Sequence, residues 1–478
     1  MKDKIVYFDA PYKKECLKAA EKLYSLGWEI YCSQYLVKTF SQGDFAFSQL
    51  ESEDYYEIRK ALKNKVYRDG SFVLKAPSFL VLDAAENCKD EFKKAQMAAL
   101  VYCACSLEKK PIMACEISDL EKIIEKIKIL EELPDDSVSF YAAKALRRFC
   151  FRQAYLAETI SSFSLEEEFS VLPLKKEKKL AYGENPHQKA YYYSSSKEEY
   201  SAALNSYRYV NLNHERDMEK ASSLIFRCEE AGLCFFKHGN LAAFSLGENT
   251  ISAVKKIKSY CGEEIYNGVC CFNRALDERT CEEIIKLGPE IICAPDISKE
   301  ASKILRKSET SAFVKIPYSF SPGRQSFFYF HKEGFLIQEK DETEIFKDIK
   351  VASKRNPSLE ELRNLKYASL LSLYVPPYSC VIFSDNSLVS SSGPQPSLEQ
   401  AAEIAVFKAK KQRNFNRSVK AVAAASAPFG INSLKKIIEA QISAAVCPSY
   451  GFDYSRVSDI IEFNKISLVL LPKRHFRH

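Results

Sequence analysis

Glycine is scarce where a nucleotide-binding loop would need it. The chain carries 15 glycines in 478 residues. The loops after its first two strand-like runs, Asp9-Ala10-Pro11-Tyr12 and Cys32-Ser33-Gln34-Tyr35, contain none. Without glycine, close approach of backbone amides to a phosphate is sterically harder. Also missing is any C-x-x-C spacing among the 16 cysteines. Cys103/Cys105 and Cys270/Cys271 lie inside apolar runs, so they read as reduced, buried small hydrophobes, and no metal site is expected. No apolar run approaches the roughly 18 residues of a membrane span, and Met1–Glu15 has no signal-peptide core, so a cytoplasmic chain with no membrane partner is expected. Long blocks of one charge are absent too. The net charge of +6 is spread over interleaved Lys and Glu. That gives no electrostatic case for nucleic acid, while leaving room for a basic pocket that takes a phosphorylated small molecule.

The composition that remains, 46% hydrophobic and 28% charged, is that of a globular chain long enough for two to four domains. Over 1–165, apolar runs alternate with amphipathic stretches. Lys4–Asp9, Trp28–Cys32, Phe79–Asp83 and Pro111–Cys115 read as strands; Glu15–Leu26, Leu120–Leu133 and Phe140–Ser162 read as helices. The alternation predicts an open, mostly parallel α/β sheet, whose ligands would bind at the strand C-termini. Ser164–Lys179, rich in Glu, Lys and Ser, reads as a linker. Beyond it the α/β rhythm returns. Gly268–Asn273, Glu290–Ala294 and Ser311–Ile316 are predicted strands, and Gln325–Lys340 a hairpin turning at Lys332-Glu333-Gly334. A last block has helices at Leu359–Tyr374, Glu399–Lys411, Ser433–Ala440 and Ser455–Phe463. Its strands are Ser379–Ser384, Leu388–Ser392, Val419–Ala425 and Ile466–Leu471, the first two joined by a turn at Asp385-Asn386.

One dipeptide stands out. The apolar run Gly232-Leu233-Cys234-Phe235-Phe236 ends in Lys237-His238-Gly239-Asn240. Gly239 relaxes the backbone just after the pair, so both heads could turn into one cleft. A nearby ammonium disfavours the imidazolium and suits His238 to accept a proton near neutrality. A strand end with two solvated cations is the plainer alternative. Two other stretches are unusual: Leu180–Gln188, where Tyr182, Asn185, His187 and Gln188 surround Gly183 and Pro186, and the basic end Lys473–His478. Of six histidines, four (His187, His238, His475 and His478) fall in these three stretches.

The segments AYGENPHQ, FFKHGN, GVCCFNRALD, IICAPDISKEA, VASKRNPSLEEL and RHFRH occur in one order and spacing. Together they resemble the bifunctional purine biosynthesis family that joins AICAR transformylase (AICAR, 5-aminoimidazole-4-carboxamide ribonucleotide) to IMP cyclohydrolase. The resemblance covers about 180–478 well and 1–165 more faintly, through Leu26–Ile30 and Tyr141–Ala145. It implies a methylglyoxal-synthase-like domain at 1–165. It also implies two cytidine-deaminase-like α/β subdomains without zinc, at 180–350 and 351–478, forming the transformylase. The implied reaction is formyl transfer from 10-formyltetrahydrofolate, as co-substrate, to the 5-amino group of AICAR, giving FAICAR. His238 would be the base and Lys237 the group at the developing oxyanion. Tyr182, Gly183, Asn185, His187, Asn240, Asn273, Arg274, Gln395 and Ser397 would bind substrate. Arg474 and Phe476 would hold phosphate and ring across a homodimer interface with shared active sites.

The chain departs from the family pattern. The Arg of L-R-Y-G-x-N-P-H-Q is Ala181; K-H-x-N-P-C-G has become Lys237–Ala243, losing its Pro and Gly; the Asn of S-N-x-x-V is Tyr378; the Arg of G-x-G-A-G-Q-x-S-R is Leu398. In the N-terminal part S-x-S-D-K-T-G is replaced by Asp9–Glu15 and S-T-G-G-T by Cys32–Leu36. R-V-K-T-L-H-P is not recognisable; Leu62–Lys75 offers Lys63, Lys65 and Arg68 but no His. A transformylase whose cyclohydrolase domain is degenerate is therefore expected. A retained bifunctional enzyme and a non-catalytic purine-nucleotide binder are the alternatives.

Overall fold

A computed structural model describes residues 4–50, 55–69, 72–82, 91–161, 165, 167–194, 210–260, 265–308, 311–316, 326–341, 344–412 and 421–476. Arg477, His478 and the first two residues of the strand predicted at 419–425 lie outside them. The chain forms two compact units, Met1–Lys175 and Lys176–His478. Among the described residues no helix is long and apolar enough to cross a membrane.

The first unit runs β1 (Ile5–Asp9), α1 (Lys13–Ser25), β2 (Glu29–Ser33), α2 (Gln34–Phe40), β3 (Phe47–Leu50), α3 (Tyr56–Asn64), β4 (Val66–Asp69), β5 (Phe72–Lys75), β6 (Phe79–Leu82), α4 (Glu91–Cys105), β7 (Ile112–Ala114), α5 (Ile117–Leu130) and α6 (Asp135–Ile160). Its main sheet has the order β3-β2-β1-β6-β7 with every pairing parallel. Apolar clusters cover both faces, so the central strand is buried at every position. This is why it reads as a continuous apolar run instead of alternating. The expected parallel α/β sheet is present. The order reverses between β1 and β6, which is where such sheets open a crevice at their carboxyl ends.

The second unit begins with β8 (Lys175–Lys179) paired to β9 (Tyr191–Ser194). The end of the segment expected as linker is thus strand, and its Lys176 lies over the Tyr191 ring at 4.9 Å. The chain then runs the same course twice. The first pass is α7 (Leu212–Ile225), the hairpin β10 (Ala231–Lys237) and β11 (Asn240–Gly247), α8 (Thr250–Tyr260), β12 (Val269–Phe272), α9 (Glu278–Ile285), β13 (Ile291–Ala294), α10 (Lys299–Lys307) and β14 (Ala312–Lys315). Between the passes stand the hairpin β15 (Ser326–His331) and β16 (Gly334–Glu339), turning where expected, and the edge strand β17 (Lys350–Val351). The second pass is α11 (Leu359–Ser372), β18 (Cys380–Ser384) and β19 (Ser387–Ser392), α12 (Leu398–Lys411), β20 (Val422–Ala425), α13 (Ile431–Glu439), β21 (Ala444–Pro448), α14 (Ser458–Phe463) and β22 (Ser467–Leu471).

The two passes fuse into one sheet, β14-β13-β12-β10-β11-β19-β18-β20-β21-β22-β17. They join where β11 and β19 pair antiparallel at Ser245 and Ser387. Helices α7 and α11 share one apolar cluster with one face. Each pass packs its other helices on the opposite face. In each pass the last two strands run parallel to β12 or β20, and antiparallel to β10 or β18. The carboxyl ends of β20, β21 and β22 therefore lie at the same end of the sheet as the turn after β10. Those of β12, β13 and β14 lie at the other end, with the turn after β18.

Candidate functional site

Lys237 does not end a strand that opens into a cleft, as the sequence suggests. It pairs with Asn240 across a tight hairpin, and the two linking residues have positive φ, +52° at His238 and +77° at Gly239. A two-residue turn that follows the twist of its strands needs this. The left-handed backbone is cheap for glycine and tolerated by His. The two ionisable heads make different contacts. The Lys237 ammonium donates to the Tyr266 carbonyl at 2.8 Å. The imidazole of His238 is exposed and makes no hydrogen bond among the described residues, which leaves it open to an outside partner. Asn240 donates to the His238 carbonyl at 3.1 Å.

Helix α7 holds this turn. Asp217 and Lys220, three apart and hence on one face, grip Gly239 from both sides. Asp217 Oδ1 accepts from Gly239 N–H at 2.8 Å, and Lys220 Nζ donates to Gly239 C=O at 3.0 Å. Burial pushes the Asp217 carboxyl up, and the Gly239 N–H and the neighbouring Lys220, His214 and His238 charges pull it back only in part. One turn earlier, His214 Nε2 meets Glu290 Oε2 at 2.6 Å. Its Nδ1 faces the N–H of the helix cap Asn211 at 3.4 Å. Donation from Nε2 to the carboxylate satisfies both contacts, and His214 holds the Glu290 carboxyl below its usual range; His238 and Lys237 act in the same direction. Sequence reading missed all four of these side chains. The available signal was the three-residue spacing of Asn211, His214, Asp217 and Lys220, which sets them along one face of the helix.

The same helix start carries the loop predicted to line a substrate pocket. Tyr182 OH accepts from the Asn211 amide at 2.8 Å. Gln188 Oε1 takes the Asn185 N–H at 2.9 Å and its amide at 3.2 Å. Gly183 N–H donates to Gln188 C=O at 2.8 Å, and a Cβ on Gly183 would lie 2.9 Å from Gln188 Cβ. The loop is thus self-braced. His187 and Ala181 are exposed.

Across the β11–β19 seam at the same end of the sheet lie three more predicted segments. Gln395 N–H donates to Tyr378 C=O at 3.2 Å. Gly393 allows this close approach, since a Cβ there would stand 2.5 Å from the Pro376 carbonyl. Tyr378, 42% exposed, meets the ring of Phe476 edge-on at 6.0 Å. The Arg474 guanidinium lies over that Phe476 ring at 4.3 Å and over Tyr450 at 5.4 Å. Buried His475 ties the segment down, with Nδ1 at 2.5 Å from Asp341 Oδ2.

Three predicted residues are placed otherwise. Asn273 is 1% exposed, and its amide is consumed by the Gly232 N–H and the Cys228 and Glu230 carbonyls. Arg274 donates to the Asn273 and Glu229 carbonyls. Both follow β12, whose Phe272 pairs with Leu233 near the start of β10. They are about four residues of strand, or roughly 14 Å, from Lys237, at the opposite end of the sheet. The Ser397 hydroxyl caps α12 by accepting from Gln400 N–H at 3.3 Å, and Leu398, where the family pattern has Arg, belongs to the core beneath.

In the first unit the crevice position holds a carboxylate. Asp9 ends β1 at 4% exposure. It accepts from Ser33 Oγ at 2.7 Å and from the Tyr55 hydroxyl, with Lys93 Nζ at 3.2 Å. A buried anion there opposes a phosphate.

Residues 109–408 match the family described as AICARFT/IMPCHase bienzyme, and the chain belongs to that family. Among named relatives, the bifunctional purine biosynthesis protein PurH of Fusobacterium nucleatum subsp. nucleatum is 28% identical over 381 residues, covering 77% of this chain and 73% of that protein. PurH of Clostridium botulinum (strain Okra / Type B1) is 26% identical over 399 residues, 82% of this chain and 77% of that protein. A solved structure, the crystal structure of ForH, aligns at a TM-score of 0.24 and 11% identity over 33% of this chain and 98% of that one.

Proposed function

We propose that this chain transfers a formyl group from 10-formyltetrahydrofolate to the 5-amino group of AICAR, giving FAICAR, and that its N-terminal unit has lost the cyclohydrolase step. The observation that carries the first part is the gathering, at one end of a single sheet, of the His238 turn, the Tyr182–His187 loop, the Gln395 loop and the Arg474–Phe476 segment, in a chain of this family. His238 takes the proton as the amine nitrogen bonds to the formyl carbon. The tetrahedral adduct collapses with cleavage of the carbon–N10 bond, and N10 leaves protonated. An aromatic amine is a weak nucleophile and needs such a base, with a cation at the oxyanion. Lys237 reaches that oxygen by releasing the Tyr266 carbonyl. Arg474 suits the phosphate and Phe476 the flat imidazole. The working enzyme is a cytoplasmic homodimer whose subunits share their active sites. Asn273 and Arg274 drop out of the substrate set on this reading.

The second part rests on Asp9, which places negative charge where the phosphate of FAICAR would sit, and on the glycine-free loops around it. In this scheme 1–165 is the degenerate cyclohydrolase domain, and 180–350 with 351–478 make the transformylase.

A second reading, a non-catalytic purine-nucleotide binder, is favoured by Leu398 in the core and by the engaged Lys237. Incubation with AICAR and 10-formyltetrahydrofolate separates them: FAICAR formation supports the enzyme, and none at saturating substrates leaves the binder. Supplied FAICAR then tests the N-terminal unit. Conversion to IMP above the spontaneous rate would restore the bifunctional enzyme and sink the second part.

A further inference from the structure

The internal duplication gives the second unit two equivalent crevices, at opposite ends of its sheet. One, beyond β21 and β22, is where Arg474 and Phe476 lie. The other, beyond β13 and β14, has no role in the reaction proposed above. It is a cleft of about 460 Å³ whose lining includes Lys299, Lys303, Arg306 and Lys315, together with Asp296 and buried Phe313. Among the described lining residues four cations stand against one carboxylate, a positive balance. Lys315 and Asp296 pair at 2.9 Å. Among the described residues Lys299, Lys303 and Arg306 have no acidic partner. Lys299 and Lys303 are four apart on α10, and Lys303 and Arg306 three apart. Like charges at that spacing repel and disfavour the helix. Glu300, the helix's one carboxylate, does not line the cleft. Such a face costs stability unless an anion neutralises it. The carboxyl ends of parallel strands are also where α/β sheets take ligands.

We infer that this cleft binds a small polyanion, a phosphate ester or a polycarboxylate, at a site separate from the Arg474 end. Clustered Lys ammoniums act as point charges that accept either chemistry without bidentate geometry.

The test is calorimetric titration of the full-length protein with inorganic pyrophosphate in one arm and citrate in the other, at constant ionic strength. The wild type should bind at least one of them saturably, and the arm that responds identifies the ligand chemistry. Lys303→Ala/Arg306→Ala should weaken that binding at least tenfold. Lys303→Arg should retain it, and Arg474→Ala should still show a saturable event that the double alanine variant lacks. These side chains are exposed and repel one another, so the double alanine variant should melt no lower than the wild type. No saturable binding by the wild type, or equal binding by the double alanine variant, overturns the inference. So does binding lost in Arg474→Ala but kept in the double variant. The formyl-transfer reading does not enter, and either idea can fail alone.

Discussion

Removing the grip of Asp217 on the His238 turn should separate positioning from mere stability. In Asp217→Ala the Gly239 N–H loses its acceptor at 2.8 Å. A hydrogen bond to a charged group is worth roughly 1.5–3 kcal/mol. Against that, burial already disfavours the ionised carboxyl and pushes it upward, so deleting it returns part of the cost. The net expectation is a loss of about 1–2 kcal/mol, read by urea unfolding. The kinetic effect should be larger. The turn would keep its strands but lose one of two anchors, and displacements of about 1 Å at a reacting group can cost on the order of 10²-fold. FAICAR formation by Asp217→Ala should fall roughly 10- to 10²-fold in kcat with KM for AICAR little changed. Asp217→Asn keeps an acceptor at the same place and should retain most activity. The sign of its pH effect is fixed. A carboxyl raised in the folded state binds its proton more tightly there than in the unfolded chain. Stability is therefore highest below the unfolded pKa and falls as pH rises through the folded one. Asp217→Asn should flatten that slope. Unchanged kcat in Asp217→Ala, together with the predicted loss of stability, would refute the positioning argument.

Other outcomes follow from the same contacts. His214→Leu removes the main cause of the lowered Glu290 carboxyl, so the Glu290 carbon resonance should titrate at higher pH than in the wild type. The stability that pair gives above the unfolded carboxylate pKa, and loses as pH falls through the folded one, should shrink. Leu398→Ala empties a buried position, 8% exposed, and should cost about 2–4 kcal/mol by urea unfolding; Leu398→Arg should be worse, not a restored phosphate ligand. Asp9→Ala should destabilise the first unit by up to about 3 kcal/mol, since Lys93 is partly exposed and can hydrate, without creating FAICAR cyclisation; IMP formation by that variant would mean the crevice was blocked by Asp9 alone.

Much of the fold is legible residue by residue. Ile5–Asp9 and Val269–Phe272 announce buried strands because both of their faces are covered. Leu359–Ser372 announces a helix through Ser358 and Glu361, which cap it reciprocally. What escaped was short or mixed. The four-residue strand Phe47–Leu50 carries Ser48 and Gln49 outward at a sheet edge, and Glu91–Cys105 has too little amphipathic contrast to stand out. The turn at His238-Gly239 resembles a strand end in the sequence because two ionisable residues close the apolar run. Yet His-Gly between two apolar runs plays the part that Asp385-Asn386, a plainer turn signal, plays in the second pass. At the site, single side chains such as Tyr182 and Phe476 could be named from motifs. The supporting carboxylates could not, because Asp217, Glu290 and Asp341 meet Gly239, His214 and His475 only through tertiary contacts 22, 76 and 134 residues apart in sequence. Asn273 shows the converse: a motif residue whose amide the backbone has already claimed.

The central claim is that His238 carries formyl transfer, and one comparison tests it most directly. Wild type and His238→Ala are assayed side by side for FAICAR formation at saturating AICAR and 10-formyltetrahydrofolate. The exposed imidazole makes the variant structurally mild, so unfolding midpoints should coincide while the rate drops at least ~10²-fold, the scale for losing a general base. Equal rates in the two proteins, or no FAICAR from the wild type, would contradict the account.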